Sequence, residues 1–310
     1  MRVIVFGYGA VGQATVARLS ARGDDVVVSQ RRAPTGLAGA RFEACDILDG
    51  GAVTRTVRGT EQIVLAVGFP YMGKVWRTAW PQAMANILAA AEAGNARVVF
   101  VDNLYMYGPQ RAPLREDMKL TRYGRKPRVR ADITRLWQEA SANVRVAALR
   151  APDFYGPRVS QSHLGAQAFG NLAQGKAAML IAPPDTEHDF AYVPDIARAV
   201  ETLLDAPDAD FGQAWHVPSA PITTPRQILE MGAAALGARL KITALPLGLL
   251  PLLGLVSPMM AEMAEMRFQW DRPYRVDASN FARRFWSDTT PFAVGAAATA
   301  RSFANNGAES

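Results

Sequence analysis

Met1-Arg-Val-Ile-Val-Phe-Gly-Tyr-Gly-Ala-Val-Gly12 decides how the rest of the chain is read. The apolar run Val3–Phe6 predicts a strand buried on both faces, as in a parallel sheet. Glycines follow at 7, 9 and 12, and a helical pattern opens at once with Ala14, Val16, Ala17 and Leu19. A lone G-x-G-x-x-G is a weak signal, but the order strand, glycines, helix is the setting in which it has a mechanism. Gly7 permits a tight turn, Gly9 lets backbone approach a pyrophosphate, and Gly12 lets helix and strand pack closely. The helix start offers free N–H groups and a positive dipole end to phosphates. The stretch Gly7, Tyr8, Gly9, Ala10, Val11 and Gly12 is therefore expected to cradle a dinucleotide.

Working outward, the second apolar strand is Val26–Ser29. An NAD-binding unit places an acidic residue about 20 residues past the glycines, on the ribose 2′-hydroxyl. Here the chain reads Gln30-Arg31-Arg32. Two guanidiniums match a 2′-phosphate, so NADP is expected over NAD, with a pair of plain surface arginines as the alternative. A short strand ends near Asp46-Ile47, where Asp46 can accept from an adenine amino group while Ile47 packs on the ring. A helix N-cap is the other role for such an aspartate, and Asp49 could equally fill it. Gln62–Val67 is a fourth strand followed by the Gly68 loop. Trp76–Ala93 reads as a long helix stopped by Gly94-Asn95. Arg97–Val101 is a fifth strand that ends in Asp102 and Asn103, at the carboxyl edge where ligands bind in such sheets. This alternation predicts an α/β fold: a Rossmann-type, doubly wound parallel sheet with a smaller, mainly helical C-terminal substrate lobe.

Proline fits the first turn of a helix, so a helix is expected to open near Lys126-Pro127, leaving Tyr123 outside, and to run through Leu136–Ala142. Val144–Leu149 is the sixth strand. Beyond Pro157 come a helix over Gly165–Ala173, a strand over Met179–Ile181, and Asp189–Val193 returning to the sheet. A helix from Pro194, a strand over Ala214–Val217, and helices over Pro225–Leu236 and Met259–Trp270 follow. The expected division is a nucleotide-binding domain over 1–157, rejoined by 188–218, and a substrate lobe over 158–187 and 219–310. Met259, Met260, Met263 and Met266 are either core filler or the lining of an apolar pocket.

The 310 residues carry 34 Lys and Arg against 28 Asp and Glu, a net charge of +6. The arginines cluster at 31–32 and over 122–135 without the interleaved aromatics of a single-strand groove, so no nucleic-acid partner is expected. Ile242–Ala261 has no charge, but Pro246, Pro251 and Pro258 with Gly248 and Gly254 break it, which points to a buried or pocket-lining segment and to no membrane partner. The single Cys45 excludes an internal disulfide and fits a reducing cytoplasm. The start at Met1, running straight into a strand, leaves no room for a signal peptide. Only Asn305–Ser310 looks like a low-complexity tail. His163, His188 and His216 are scattered and offer no metal-ligand spacing, so no metal is expected.

The order of these motifs resembles an atypical extended short-chain dehydrogenase/reductase of the NAD(P)-dependent epimerase/dehydratase family. The likeness rests on the glycine loop, Asp46-Ile47, Tyr107-Gly108, Arg150-Ala-Pro-Asp-Phe-Tyr155-Gly156-Pro157, His188-Asp-Phe-Ala-Tyr-Val-Pro-Asp195-Ile-Ala197, Thr224-Pro-Arg-Gln-Ile-Leu229 and Thr290-Pro291. The expected cofactor contacts are Gly7–Gly12, Arg31, Arg32, Asp46, Ile47, Val67, Gly68, Asp102, Asn103, Pro152, Asp153 and Phe154, and the resemblance implies that the last loop runs beside the nicotinamide. It also implies a Ser or Thr after the fifth strand and a Tyr-x-x-x-Lys on the next helix, and here the chain departs. Matching backward from Tyr107-Gly108 puts Asn103 in the Ser/Thr place. Lys126, Pro127 or Arg128 stands where the tyrosine belongs, with Arg130 in the lysine place. Lys126 and Arg130 share a helix face, and either could hold ribose hydroxyls or polarise a carbonyl. Tyr105 is the one nearby phenol to nominate as proton donor, a packed strand-end aromatic being its alternative role. The expectation is an NADP-dependent oxidoreductase or epimerase-like enzyme acting on a small carbonyl or alcohol. The alternative is a non-catalytic NAD(P)-sensing regulator. A small-molecule substrate is the expected partner, and a homodimer is left open.

Overall fold

The computed structural model describes residues 1–37 and 39–306; the end of the expected low-complexity tail, 307–310, lies outside the described residues. In chain order its elements are β1 (Arg2–Phe6), α1 (Ala10–Ala21), β2 (Asp25–Gln30), β3 (Arg41–Ala44), α2 (Gly50–Thr56), β4 (Gln62–Leu65), α3 (Gly73–Gly94), β5 (Arg97–Asp102), α4 (Lys126–Ala140) and β6 (Val146–Arg150). Then come β7 (Asp153–Tyr155), α5 (Asn171–Ala173), β8 (Ala178–Leu180), β9 (Phe190–Tyr192), α6 (Val193–Asp205), β10 (Gln213–His216), α7 (Pro225–Ala235), β11 (Ile242–Ala244), α8 (Leu250–Leu253), α9 (Pro258–Glu265), α10 (Ser279–Arg284) and α11 (Phe292–Asn306). The chain forms two compact units. One comprises Met1–Gly108, Glu116–Ala151 and Ile196–His216; the other comprises Pro109–Arg115, Pro152–Asp195 and the chain from Val217 on.

The first unit is built on seven strands in the order β10-β6-β5-β4-β1-β2-β3, every neighbouring pair parallel. The near-continuous apolar runs of β1, β4, β5 and β6 follow from this, because both faces of those strands are covered: Val3, Ile4, Val5, Ile63, Val64, Leu65, Val98, Val99 and Val146 are all fully buried. On α3, Trp76, Trp80, Ala83, Met84, Ile87 and Ala91 recur at helical spacing and join the core cluster that contains Phe6, Leu65 and Phe100. The helix stops where the sequence predicts, with Asn95 taking the left-handed conformation (φ 51°) that asparagine tolerates. Strand order reverses between β1 and β4, which opens the crevice at the carboxyl edge used for ligands in such sheets.

The second unit has two parallel strand pairs, β7 with β9 and β8 with β11, and packs α7 against α11. Its core contains Tyr155, Phe169, Leu180, Phe190, Ile228 and Leu229. The strand predicted at Asp189–Val193 forms as β9 but does not return to the central sheet. It pairs with β7, Asp153 opposite Phe190 and Tyr155 opposite Tyr192. The helix predicted over Gly165–Ala173 opens with a π-helical turn at Gly165–Gly170, and a Cβ on Gly165 would lie 2.3 Å from the Ser160 carbonyl oxygen. The helix predicted over Met259–Trp270 ends at Glu265 and passes into a 3-10 turn, Arg267–Gln269. Met266 is fully buried whereas Met259 is 53% exposed, so the methionines do not form one continuous core stripe. The uncharged segment 242–261 divides into β11, α8 and the start of α9, and among the described residues no helix is long and apolar enough to cross a membrane.

Candidate cofactor and active site

At the carboxyl end of β1, Gly7 has φ +95°, and a Cβ there would come 2.6 Å from the Ala66 carbonyl oxygen. A Cβ on Gly12 would come 2.1 Å from the Gly7 carbonyl oxygen, so both positions exclude any larger residue for reasons internal to the fold. Gly9 differs: a Cβ there would meet nothing within 4 Å. What a side chain at Gly9 would obstruct is the approach to the start of α1. That helix start has no side-chain cap and no acidic residue in its first turn, so its N–H groups and dipole favour an anion. The cradle fits a pyrophosphate.

Gln30 ends β2 in the place where an acidic residue grips a ribose. Its Oε1 accepts from the Tyr8 backbone N–H (3.2 Å), and its Nε2 donates to the Arg32 carbonyl (2.8 Å). The side chain thus ties the glycine loop to the turn bearing Arg31 and Arg32, both exposed. The Tyr8 hydroxyl donates to the Gly36 carbonyl (3.0 Å). After β3, Asp46 is exposed and accepts from the Leu48 N–H (3.0 Å), while Ile47 is buried. The N-cap role belongs to Asp49, which accepts from the Ala52 N–H at the start of α2. After β4, Val67 is half-buried and Gly68 is exposed.

The end of β5 holds a buried charged network. Asp102 lies 3.3 Å from the Arg130 guanidinium and 3.7 Å from that of Arg150. Burial raises the Asp102 pKa, opposed by both guanidiniums, and burial lowers that of Arg130. The Arg130 guanidinium sits 3.8 Å above the Trp80 ring and 5.1 Å from Trp76, which shields it from water. Asp102 Oδ1 accepts from the Asn103 N–H (2.8 Å), and Asn103 Oδ1 accepts from the Tyr105 N–H (3.0 Å), an Asx turn that leads into the 3-10 turn Tyr105–Tyr107. The half-buried Tyr105 ring stacks on Trp76 at 6.1 Å and 13°, and it interacts electrostatically with Arg130.

Lys126 is fully buried, its Nζ 4.7 Å from the Tyr71 ring centroid. The shared face of Lys126 and Arg130 on α4 is therefore turned inward, each cation meeting different aromatic rings. Tyr107, just past Tyr105 in the same 3-10 turn, receives a hydrogen bond from Arg150 (2.5 Å) and lies 2.9 Å from His216 Nε2; burial pushes its phenol up to about 12. Tyr123 lies in the segment before α4, 40% exposed.

In the second unit, Pro152 is buried, and Asp153 and Phe154 are half-buried on β7. The Asp153 carboxylate lies 3.0 Å from His188 Nε2 and accepts from Trp270 Nε1 (3.3 Å). Burial raises its pKa, but the histidine and indole partners outweigh burial and hold it below the usual carboxylate range. His163 stacks on Trp270 (5.5 Å, 18°) and faces His188 (6.4 Å, 25°), and burial pushes its imidazole down to about 4. The sequence reads these histidines as scattered, and the fold brings two of the three together. No spacing rule would have found them, since 25 residues separate His163 from His188 and only the fold stacks the two rings. Among the described residues, no group of three or more His, Cys, Asp or Glu side chains is placed to hold a metal ion.

Known proteins bear on this geometry. The model of the NAD dependent epimerase/dehydratase family matches residues 3–217. The chain belongs to this family. A comparison with curated proteins gave no match. Among solved structures, the chain is similar to a Thermus thermophilus UDP-glucose 4-epimerase in complex with NAD (20% identity, 98% of this chain and 99% of that one, TM-score 0.76). It is also similar to a Bacillus cereus UDP-glucuronic acid 4-epimerase in complex with NAD (15%, 99% and 99%, 0.78). A third likeness is to a putative epimerase from Burkholderia cenocepacia J2315 (17%, 98% of each chain, 0.79). At these identities the likeness shows a shared fold alone.

Proposed function

We propose that the chain is an NADP-dependent, epimerase-like oxidoreductase acting on a small carbonyl or alcohol, with a proton-handling site that departs from Tyr-x-x-x-Lys. The cofactor half of this reading is supported by the Gly7–Gly12 cradle, the open space at Gly9 and the uncapped start of α1. Arg31 and Arg32, beside a neutral Gln30, favour a 2′-phosphate over a bare ribose hydroxyl. The first two solved neighbours named above hold NAD, so the choice of dinucleotide is the first thing to measure. A bound nicotinamide dinucleotide supplies a hydride acceptor or donor at its C4.

The observation that carries the chemistry is the Tyr105 phenol stacked on Trp76 beside the buried Arg130. In this reading Tyr105 gives a proton to the substrate oxygen or takes one from it. A neighbouring guanidinium favours the phenolate form, as the family lysine does for its tyrosine. Asn103, whose Oδ1 is committed to the Tyr105 N–H, keeps its Nδ2 for orienting the substrate oxygen. Asp102 and Arg150 hold Arg130 and the Asn103–Tyr107 turn in place. Lys126 sits under Tyr71 and shapes the start of α4.

Thermal-shift titration tests the cofactor: NADPH is expected to raise the melting temperature more than NADH, since a ligand stabilises in proportion to its occupancy of the native state. A larger shift with NADH overturns the Arg31–Arg32 assignment. Anaerobic incubation of protein and NADPH with a panel of ketones, aldehydes and enones tests catalysis. Tyr105→Phe is expected to lower kcat by about 100-fold or more on any substrate found, the usual worth of a positioned acid–base group, and full activity in that variant sinks the assignment. Cofactor binding without turnover across the panel favours the sensor reading, for which the missing family tyrosine is the supporting observation.

A further inference from the structure

The first unit carries a concentration of positive charge that the cofactor cradle does not use. Two adjoining hollows, of about 420 and 410 Å³, lie where α3 and α4 begin. Thr121, Arg122, Arg128, Asp132 and Arg135 line one; Lys74, Arg77, Arg125 and Val129 help line the other, which shares Arg128 and Asp132. The one carboxylate present, Asp132, is taken by Arg135 at 2.6 Å. Arg128 spends one N–H on the Arg122 carbonyl (3.0 Å), which ties the segment before α4 to the helix. Among the described residues, Lys74, Arg77, Arg122 and Arg128 have no carboxylate within ion-pair distance. Many other surface arginines do, including Arg18, Arg22, Arg41, Arg97, Arg226, Arg272 and Arg275.

We propose that these hollows are a second anion site, for a phosphate or diphosphate group, distinct from the Gly7–Gly12 cradle. Their sizes fall in the range of small-molecule sites, about 300–1,000 Å³, and guanidinium, ammonium and hydroxyl groups end most of the side chains that line them, which suits an anion. Guanidinium forks match phosphate oxygens, and an arginine that gives one N–H to a carbonyl keeps four others. The two helix starts add to the field. Neither α3 nor α4 has an acidic residue in its first turn or a side-chain cap, and both carry cations where a dipole disfavours them. An anion seated there relieves both the dipole and the crowding of like charges. None of these residues belongs to the glycine loop or to the Arg31–Arg32 turn, so this site stands or falls apart from the cofactor reading.

Inorganic pyrophosphate is the probe, titrated calorimetrically into the full chain at saturating NADPH and fixed ionic strength. Binding is expected to persist with the cofactor present. Arg122→Glu with Arg128→Glu should weaken it by at least about tenfold, the loss of two charge-assisted contacts. Lys74→Glu with Arg77→Glu, a second exposed pair, should weaken it as well, while Arg55→Glu with Arg58→Glu, the same charge change outside both the cradle and the hollows, should leave it unchanged. Circular dichroism checks that each variant is folded, and the thermal shift with NADPH reports the cradle separately. Displacement of pyrophosphate by NADPH overturns the proposal, as does wild-type affinity in both α3–α4 pairs. Equal affinity for sulfate at the same ionic strength also overturns it, because that outcome is screening alone.

Discussion

The second unit contains two buried titratable groups whose effects on stability oppose each other, and replacing either one should reveal the other. His163 is pushed by burial from 6.5 to about 4. Its folded pKa lies below its unfolded one, so the unfolded chain binds the extra proton, and stability is lost as pH falls through the window from about 6.5 to 4. Asp189 is pushed by burial from 3.8 to about 6, even though it accepts from the Val276 N–H at 2.7 Å. Its folded pKa is raised, so the native state binds the proton first, and stability is gained as pH falls through about 6 toward 3.8. Between pH 7 and pH 5 these values make His163 cost roughly 2 kcal/mol and Asp189 return roughly 1 kcal/mol, so each masks much of the other. His163→Phe keeps a ring against Trp270 and removes an imidazole whose buried Nε2 has no hydrogen-bond partner. Relative to wild type, this variant should be less sensitive to acid by roughly 2 kcal/mol between pH 7 and 5. Asp189→Asn keeps an acceptor for Val276 and should be more sensitive by roughly 1 kcal/mol over the same interval. Urea unfolding at each pH, with hydrogen exchange read over 153–192 to localise the effect, measures both. Equal pH dependence in wild type and both variants, or the same sign of change in the two, refutes the reasoning.

Three further outcomes follow from local geometry. Gly12→Ala sets a methyl 2.1 Å from the Gly7 carbonyl oxygen, hard against backbone, and should lower cofactor affinity at least tenfold on the scale of about 1.4 kcal/mol per decade; an unchanged thermal shift with NADPH and NADH would argue against the cradle. Thr224→Ala removes the capping box that Thr224 and Gln227 form at the start of α7 and should cost about 1 kcal/mol in urea unfolding. Tyr107→Phe leaves the Arg150 guanidinium and His216 without the hydroxyl between them and should cost about 1–3 kcal/mol, read by the same denaturation.

What the sequence reveals of this molecule, and what it hides, divides by range. The requirements at Gly7 and Gly12 are steric and local, so the pattern of three glycines after an apolar run states them outright. The stop at Asn95 and the cap at Asp49 are local too, and so is the Lys126-Pro127 helix start that leaves Tyr123 behind. The parallel sheet is legible because burial on both faces writes itself as unbroken Val and Ile. Pairing is another matter. The apolar pattern at Asp189–Val193 announces a strand without saying which edge receives it, and β7 takes it in place of the central sheet. The Asp153–His188 contact follows from that pairing, and His163 then stacks on His188 from outside both strands.

The same limit bears on Arg130, and there the structure supplies a reason for the residue. Counting from Tyr107-Gly108 puts an arginine where the family carries lysine, but nothing in the count says what the cation meets. It meets Trp80 and Trp76, from a helix far earlier in the chain, with Asp102 as its partner in a site from which water is excluded. An ammonium in such a slot sheds its proton readily, because burial disfavours the charged form and lysine titrates within reach of that penalty. A guanidinium is lowered by the same burial yet starts so high that it stays charged. Its flat face also lies along an indole in a way that an ammonium cannot match. If a fixed positive charge beside Tyr105 is what the chemistry requires, arginine is the side chain that can keep one between two tryptophans. Under the proposed function, the absence of Tyr-x-x-x-Lys corresponds to a rebuilt proton site in which Tyr105 and Arg130 come from different elements, with Trp76 against both.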